Sequence, residues 1–300
     1  MSTNSSLMGT LAVVLTSILW GTTGTAASFA VDLSPLAIGA FAMGGAALLL
    51  GLRSARGIRR HLPALRAKPA LLFAGALAVA IYPLAFYSSM YLAGVAIGTV
   101  VSIASAPLFA ALLERILDGK SIETRWVLSF TVGALGMVLL YAGKGGAVDT
   151  TQMEYQGAGV ALGLLAGLTY ALYTWVCKTH IHLGIESSAS MAALFLLASV
   201  VLLPSLYFTG ENLFASVTNT SVVIYMALVP MFLGYLLFGY GLRSVSVSSA
   251  TLITLLEPVV AVLFAVLLLG ERFQLVGWIG LAAILVSLLI QLQPQSSTKL

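Results

Sequence analysis

Glu257 is the residue whose chemistry most needs explaining. It stands among Leu255, Leu256 and Pro258, near the middle of a long apolar stretch. A charged residue at the centre of a bilayer costs on the order of 2.5–3.5 kcal/mol on insertion scales, so it normally faces a cavity or a partner. Two roles fit. Glu257 either exchanges a proton or holds a substrate amine, or it is a structural group hydrogen-bonded to its helix neighbours beside the proline. Aromatic residues fall at comparable depth in other apolar stretches: Trp20, Tyr82 with Phe86, Tyr170 with Tyr173, and Tyr235. Tyr and Trp usually sit at membrane interfaces. At mid-depth their O–H and N–H groups need a partner or a wet cavity. They fit a packed core with local hydrogen bonds, or the aromatic walls of a central pocket for apolar, aromatic or cationic groups.

Pro107 and Pro258 each lack an N–H and should release the carbonyl four residues earlier, at Ile103 and Thr254. Two kinks at matching depth are expected, as static bends or as hinges. Small and polar residues form stripes beside them. Gly98, Ser102 and Ser105 share a helix face, as do Ser246, Ser249, Ile253 and Glu257. Gly94 with Gly98, and Gly163 with Gly167, have G-x-x-x-G spacing. Close helix packing explains such stripes; a polar pathway, with Ser102 in its lining, is the alternative. His180 and His182 flank Ile181 in a predicted loop and make a weak metal signal, better read as solvated side chains. The lone Cys177 permits no internal disulfide and no multi-cysteine metal site. No Walker A pattern, no H-E-x-x-H and no mid-depth aspartate pair occurs. No catalytic residue, metal ligand or cofactor is therefore assigned.

These residues need a scaffold, and the composition names its kind. The chain has 300 residues, 60% apolar and only 8% charged. Its mean hydropathy is +1.04. Soluble domains carry roughly 25% charged residues. So few charges cannot cover a water-facing surface, which excludes a soluble enzyme, a disordered chain and a nucleic-acid binder. A bilayer core of about 30 Å needs roughly 20 apolar residues per helix. Ten such stretches are predicted, at 8–30, 35–52, 69–92, 94–117, 126–142, 157–177, 188–209, 221–242, 245–269 and 273–292. No loop is long enough for a soluble domain, so any chemistry must occur inside the bundle.

With short connections, alternate loops lie on opposite sides. Twelve of the fourteen basic residues then share one side, including Arg53, Arg56, Arg59, Arg60, Arg66, Lys68, Lys178 and Lys299; Lys144 and Arg272 lie on the other. The positive-inside rule puts both termini in the cytoplasm. The basic loop after the second span reads as an orientation signal in contact with membrane lipid.

The halves repeat at an offset of about 150. Pro107 pairs with Pro258, Gly119 with Gly270, and Trp20 falls near Tyr170. Five spans per half is an odd number, so the second half must enter from the opposite side: an inverted repeat, as in many secondary transporters. The expected architecture is all-α and integral to the membrane, with residues 1–146 and 147–300 as two five-helix repeats of one domain. In the second half, Glu257-Pro258 followed by Leu268-Leu269-Gly270-Glu271-Arg272 resembles the "EP … LGE" ending of the drug/metabolite transporter superfamily, EamA-type. The first half departs from it, with Ala106 before Pro107 and Asp118-Gly119-Lys120 at the loop. The resemblance covers essentially the whole chain and is greatest to aromatic amino acid exporters. It implies an exporter of amino acids or similar metabolites in a bacterial cytoplasmic membrane. Its partners would be a small solute and lipid, with no nucleic acid, and ten spans suffice for a monomer. On that reading Trp20, Tyr82, Phe86, Ser102, Tyr170, Tyr173, Tyr235 and Glu257 would bind substrate. Pro107 and Pro258 would act as hinges. No Lys or Arg lies at mid-depth, which argues against phosphorylated substrates. A multidrug or cationic-compound exporter of the same fold is the alternative; a membrane enzyme or a channel fits less well.

Overall fold

The computed structural model describes residues 3–143 and 155–293, with side chains from residue 5 onward. Lys144, Lys299 and the expected boundary between residues 146 and 147 lie outside the described residues. Among the described residues the chain is helical, without strands. The helices are α1 (Thr3–Gly21), α2 (Thr23–Ser28), α3 (Pro35–Ala67), α4 (Pro69–Ala93), α5 (Val95–Leu117), α6 (Thr124–Ala142) and α7 (Gln156–His182). They continue as α8 (Ser187–Thr209), α9 (Val217–Met226), α10 (Gly234–Gly241), α11 (Val247–Ile253), α12 (Leu256–Leu269) and α13 (Leu275–Leu292). Ten helical stretches among the described residues are long and apolar enough to cross a bilayer. Three of these spans are assembled from shorter pieces. The first joins α1 to α2, the eighth joins α9 to α10 through a π-helical turn at Ala227–Leu233, and the ninth joins α11 to α12. Large apolar side chains such as Leu52, Leu77, Tyr207 and Leu267 point outward, as a lipid-facing surface requires.

Glycine sets how closely the spans approach. A Cβ on Gly280 would lie 2.3 Å from the Leu140 nitrogen, so α13 and α6 meet backbone to backbone. A Cβ on Gly167 would lie 2.1 Å from Ser105 Oγ and 2.9 Å from the Ser102 carbonyl, which fixes the α5–α7 seam. In an apolar solvent such close contact supplies the packing energy that burial supplies in water.

Several local features differ from the sequence expectations. The basic stretch after the second span is not a loop: α3 runs on as a helix through Pro63 to Ala67 and carries the arginines on its exposed extension. His180 and His182 are not in a loop either; they form the last turn of α7. His180 is 1% exposed, and its Nδ1 lies 2.8 Å from Ser190 Oγ. Lys178 is buried in the same helix. It donates to the carbonyls of Leu242 and Val245 at 2.6 and 3.0 Å, closing the C-terminal end of α10 where orphan carbonyls attract a cation.

The two prolines also part company. α5 continues unbroken across Pro107, whereas the ninth span breaks before Pro258. The Thr254 carbonyl does not stay unpaired, because the Glu257 N–H folds back onto it at 3.0 Å. That bond diverts the Glu257 N–H from the Ile253 carbonyl; Ser17 Oγ, which donates to the Val13 carbonyl at 2.9 Å, lies 3.5 Å from the Ile253 oxygen.

Candidate functional site

Five of the expected residues converge on one central cavity: Trp20, Tyr82, Phe86, Tyr235 and Glu257. Thr23, Gly39, Ala42, Met43, Pro83, Tyr87 and Met231 complete its wall. Its volume is about 50 Å³, room for roughly three to five waters. Ligand pockets usually enclose roughly 300–1,000 Å³, so a solute enters only if these walls part.

Each wall is held by a specific local device. The π-helical turn pairs the Gly234 N–H with the Val229 carbonyl, five residues back rather than four. The Pro230 carbonyl thus loses its usual helical partner, and Trp20 Nε1 donates to it at 2.9 Å. Gly234 makes room for that indole, since a Cβ there would lie 2.7 Å from Nε1. The Trp20 and Tyr235 ring centres are 5.0 Å apart. On α4, Tyr82 and Phe86 stack at 5.9 Å, one helical turn apart. Tyr87 fits against α3 because position 39 is glycine; a Cβ there would lie 2.4 Å from its ring.

Tyr170 and Tyr173 stand behind this wall. Tyr170 packs 5.6 Å from Tyr82 and 6.1 Å from Trp20. Thr254 Oγ1 gives its own proton to the Thr251 carbonyl, so it accepts from the Tyr170 hydroxyl at 3.1 Å. Tyr173 and Tyr235 share a hydrogen bond of 3.0 Å between hydroxyls. Buried tyrosine O–H groups thus find partners among one another and at the break in the ninth span. Ser102 does not join the cavity. It is 2% exposed on the α5–α7 seam, where its hydroxyl has no hydrogen-bond partner.

Glu257 occupies the first turn of α12, where the ninth span resumes after its break. Gly21 brings the first span against this turn, since a Cβ there would lie 2.7 Å from the Glu257 carbonyl. Glu257 is the only charged residue in the cavity wall. Among the described residues no cluster of three or more His, Cys, Asp or Glu could hold a metal ion.

A second, larger cavity of about 790 Å³ opens at the end of the bundle that carries the start of α1 and the end of α13. Its polar lining includes Glu114, Lys120, Arg125, Ser246, Ser248 and Gln291. It shares no lining residue with the central cavity. Glu114 accepts from Lys120 Nζ at 2.7 Å, and Asp118 lies 3.5 Å from the same ammonium. Burial pulls the Lys120 pKa down, but Glu114 and Asp118 together outweigh it and hold it above the ordinary value.

Sequence reasoning missed Gly39, Tyr87 and Pro230. Tyr87 is one position beyond the Tyr82–Phe86 stripe, and its aromatic type at mid-depth was the available signal. No sequence signal marks the Pro230 carbonyl as a partner for Trp20, because their pairing is set 210 residues apart.

Comparison with known proteins bears on this geometry. The sequence profile of the EamA-like transporter family matches residues 7–142 and again residues 157–292. An uncharacterized transporter of Bacillus subtilis (strain 168), YwfM, is 30% identical over 283 residues, covering 93% of this chain and 92% of that one. An uncharacterized inner membrane transporter of Escherichia coli (strain K12), YedA, is 28% identical over 192 residues, covering 63% of this chain and 60% of its own length. A solved crystal structure shares the fold at a TM-score of 0.76 and 17% identity, covering 97% of this chain and 96% of that one. Ten apolar helices and inner-membrane relatives place the protein in the bacterial inner membrane as a multi-pass chain. It belongs to the EamA-like transporter family and is a membrane transporter rather than an enzyme.

Proposed function

We propose that the protein exports amino acids or similar amine-bearing metabolites by alternating access around the central cavity, with Glu257 as its binding and coupling group. The observation that carries this reading is a half-buried carboxylate facing an aromatic cavity at the break of a discontinuous span. Transporters commonly build midplane sites from such broken helices. Trp20, Tyr82, Phe86 and Tyr235 form the contact surface, while Tyr170 and Tyr173 support it. The larger cavity is the access route from the end where the basic residues gather, which is the cytoplasm under the positive-inside rule. The outward direction is taken from the resemblance to exporters.

Two five-span halves, 1–146 and 147–300, are the moving units in this proposal. The family profile matching twice supports that division. So do two matching helix ends. Gly119 and Gly270 both have φ 69°, and the next residue in each case, Lys120 or Glu271, returns its N–H to a carbonyl six residues back at 3.1 Å. The packing supports it too. The second span packs on the seventh and the fifth on the tenth, while the third-on-sixth pairing is mirrored by the eighth on the first. Pro258, at a real break, is the better hinge; Pro107 lies in a continuous helix.

Reconstituted protein in liposomes, given a labelled amino acid panel with and without an imposed pH gradient, tests the proposal. Saturable flux that follows the gradient is expected. Absence of saturable flux for every amino acid and amine supplied would remove it.

A further inference from the structure

We infer that the exposed extension of α3 is a docking face for anionic phospholipid, with its arginines holding headgroup phosphates of the adjoining leaflet. That leaflet is the cytoplasmic one under the positive-inside rule. The arginine face shares no residue with the central cavity, so it stands apart from the transport site.

The extension has two unlike faces. Arg53, Arg56, Arg59, Arg60 and Arg66 are exposed, and at about 100° per residue they fall within an arc of roughly 140°. Ile58 and Leu65 lie on the opposite side and pack with Leu72, Ile185, Ala189 and Ala193 around the starts of α4 and α8. That packing fixes the rotation of the helix, so the arginines stay outward. Depth follows from the same seam. Along α3, Cβ atoms on Gly44, Gly51 and Gly57 would meet Leu203, Leu196 and Ala189 in turn, so α8 runs antiparallel beside it. α8 begins at Ser187, so α3 beyond Gly57 lies level with the end of its neighbour. Leu48 and Leu52 precede the arginines on the same arc and are exposed, as a surface against acyl chains requires. The lipid-facing stripe of α3 thus continues as an arginine stripe at the depth of the headgroups, with Arg53 and Arg56 able to snorkel outward.

Charge selects the occupant. Glu186 lies 3.7 Å from Arg60, but the pair is exposed and carries little weight. Arg53, Arg56, Arg59 and Arg66 have no acidic partner among the described residues. Arg56 has Arg53 and Arg59 three residues away and Arg60 four away, a spacing at which like charges destabilise a helix. A face left to water mixes both signs, whereas every charge on this one is an arginine. The planar guanidinium fork matches the oxygens of a phosphate bidentately, which an ammonium does not. Anionic headgroups remove the repulsion and satisfy the forks. The cytoplasmic leaflet offers them, with a negative surface potential that draws basic segments. An orientation signal needs only the number of charges on one side of the membrane; it does not need them gathered on one lipid-facing stripe.

Native mass spectrometry of the full chain in uncharged detergent, titrated with phosphatidylglycerol or with phosphatidylcholine, resolves each bound lipid. One basic residue near an anionic surface is worth about fivefold in affinity, so two arginines on one headgroup should favour the first phosphatidylglycerol by roughly 25-fold. That measurement on the wild-type protein needs no variant. Raising ammonium acetate from about 0.1 to about 1 M shortens the screening length from about 10 to about 3 Å and should bring the two lipids close to equality. Arg56→Gln combined with Arg59→Gln should remove most of the preference. Arg56→Lys combined with Arg59→Lys keeps the charge and the orientation signal, and should retain most of it. Equal affinity of the wild-type protein for both lipids would overturn the inference. A preference untouched by the glutamine pair would place the contact on other basic residues and overturn the assignment to α3. Tripolyphosphate bound in the same detergent, with the two lipids held alike, would give the face to a soluble polyanion and overturn it as well.

Discussion

Replacing Glu114 by alanine should be among the most damaging single changes outside the central cavity. Glu114 is 3% exposed near the end of α5. Its carboxylate accepts from Lys120 Nζ at 2.7 Å, the Val247 and Ser248 N–H groups at 3.2 and 3.0 Å, and Ser248 Oγ at 2.5 Å. The last three donors belong to the first turn of α11, where unpaired N–H groups and the helix dipole favour an anion. The Lys120 side chain is 42% exposed, so its contribution is at most about 1 kcal/mol. Hydrogen bonds to a charged group are worth roughly 1.5–3 kcal/mol each, but three around one carboxylate are not additive. Removing the carboxylate leaves the Val247 and Ser248 N–H groups without their acceptor, and a loss of about 3–5 kcal/mol is expected for Glu114→Ala. Lys120→Ala should cost less than about 1 kcal/mol. Trp126 Nε1 donates to the Ser248 carbonyl at 3.2 Å, so Trp126 is one of four tryptophans whose fluorescence follows denaturant unfolding in micelles, and it reports from this joint. Equal destabilisation by the two variants would refute the assignment of most of the energy to the helix end. A Glu114→Ala cost below about 1 kcal/mol would refute the joint itself.

Gly39→Ala should force Tyr87 to move, since the new methyl would lie 2.4 Å from its ring. Overpacking of this kind costs about 1–3 kcal/mol, and transport should fall more than stability does, measured as flux beside a thermal melt. Tyr170→Phe removes the donor to Thr254 at the break in the ninth span. A loss of about 0.5–1.5 kcal/mol is expected, and an unchanged melt would place that hydrogen bond outside the energetics. Lys120 titrates above its ordinary value of 10.5 because its acidic partners outweigh burial. A raised value means that its stabilisation is complete at neutral pH and lost as pH climbs through the raised value. The stability gap between wild type and Lys120→Met should therefore stay constant through the neutral range and close at strongly alkaline pH as the ammonium is lost; a gap that closes within the neutral range would contradict the sign.

How far the chain could be read depended on the kind of evidence each feature left. Ten spans were legible because an apolar stretch long enough to cross the hydrocarbon core must satisfy its own backbone, and a helix does so locally. Trp20, Tyr82, Phe86, Tyr235 and Glu257 were legible because polar or amphipathic groups at mid-depth are costly unless they meet a cavity or one another. The helical extension of α3 was not. Its arginines resemble a soluble loop by composition, yet arginine is a good helix former and the segment has no proline before Pro63. The placement of Ser102 was left open by its spacing. A serine one helical turn from glycine fits a pathway and a packing seam equally well, and only its neighbour across the seam, Gly167, settles which.

From sequence alone followed the membrane as solvent, the number of crossings, the family resemblance and the identity of the one mid-depth acid. These depend on composition and on contacts a few residues long. Tertiary structure was needed for the π-helical turn that frees the Pro230 carbonyl for Trp20, and for the break that sends the Glu257 N–H to Thr254. The pairing of Glu114 with the start of α11 and the wall that leaves Glu257 without a cation also belong there. Each depends on which released backbone group or charge meets which distant side chain. That choice is made by helix packing across a hundred or more residues, and no local pattern encodes it.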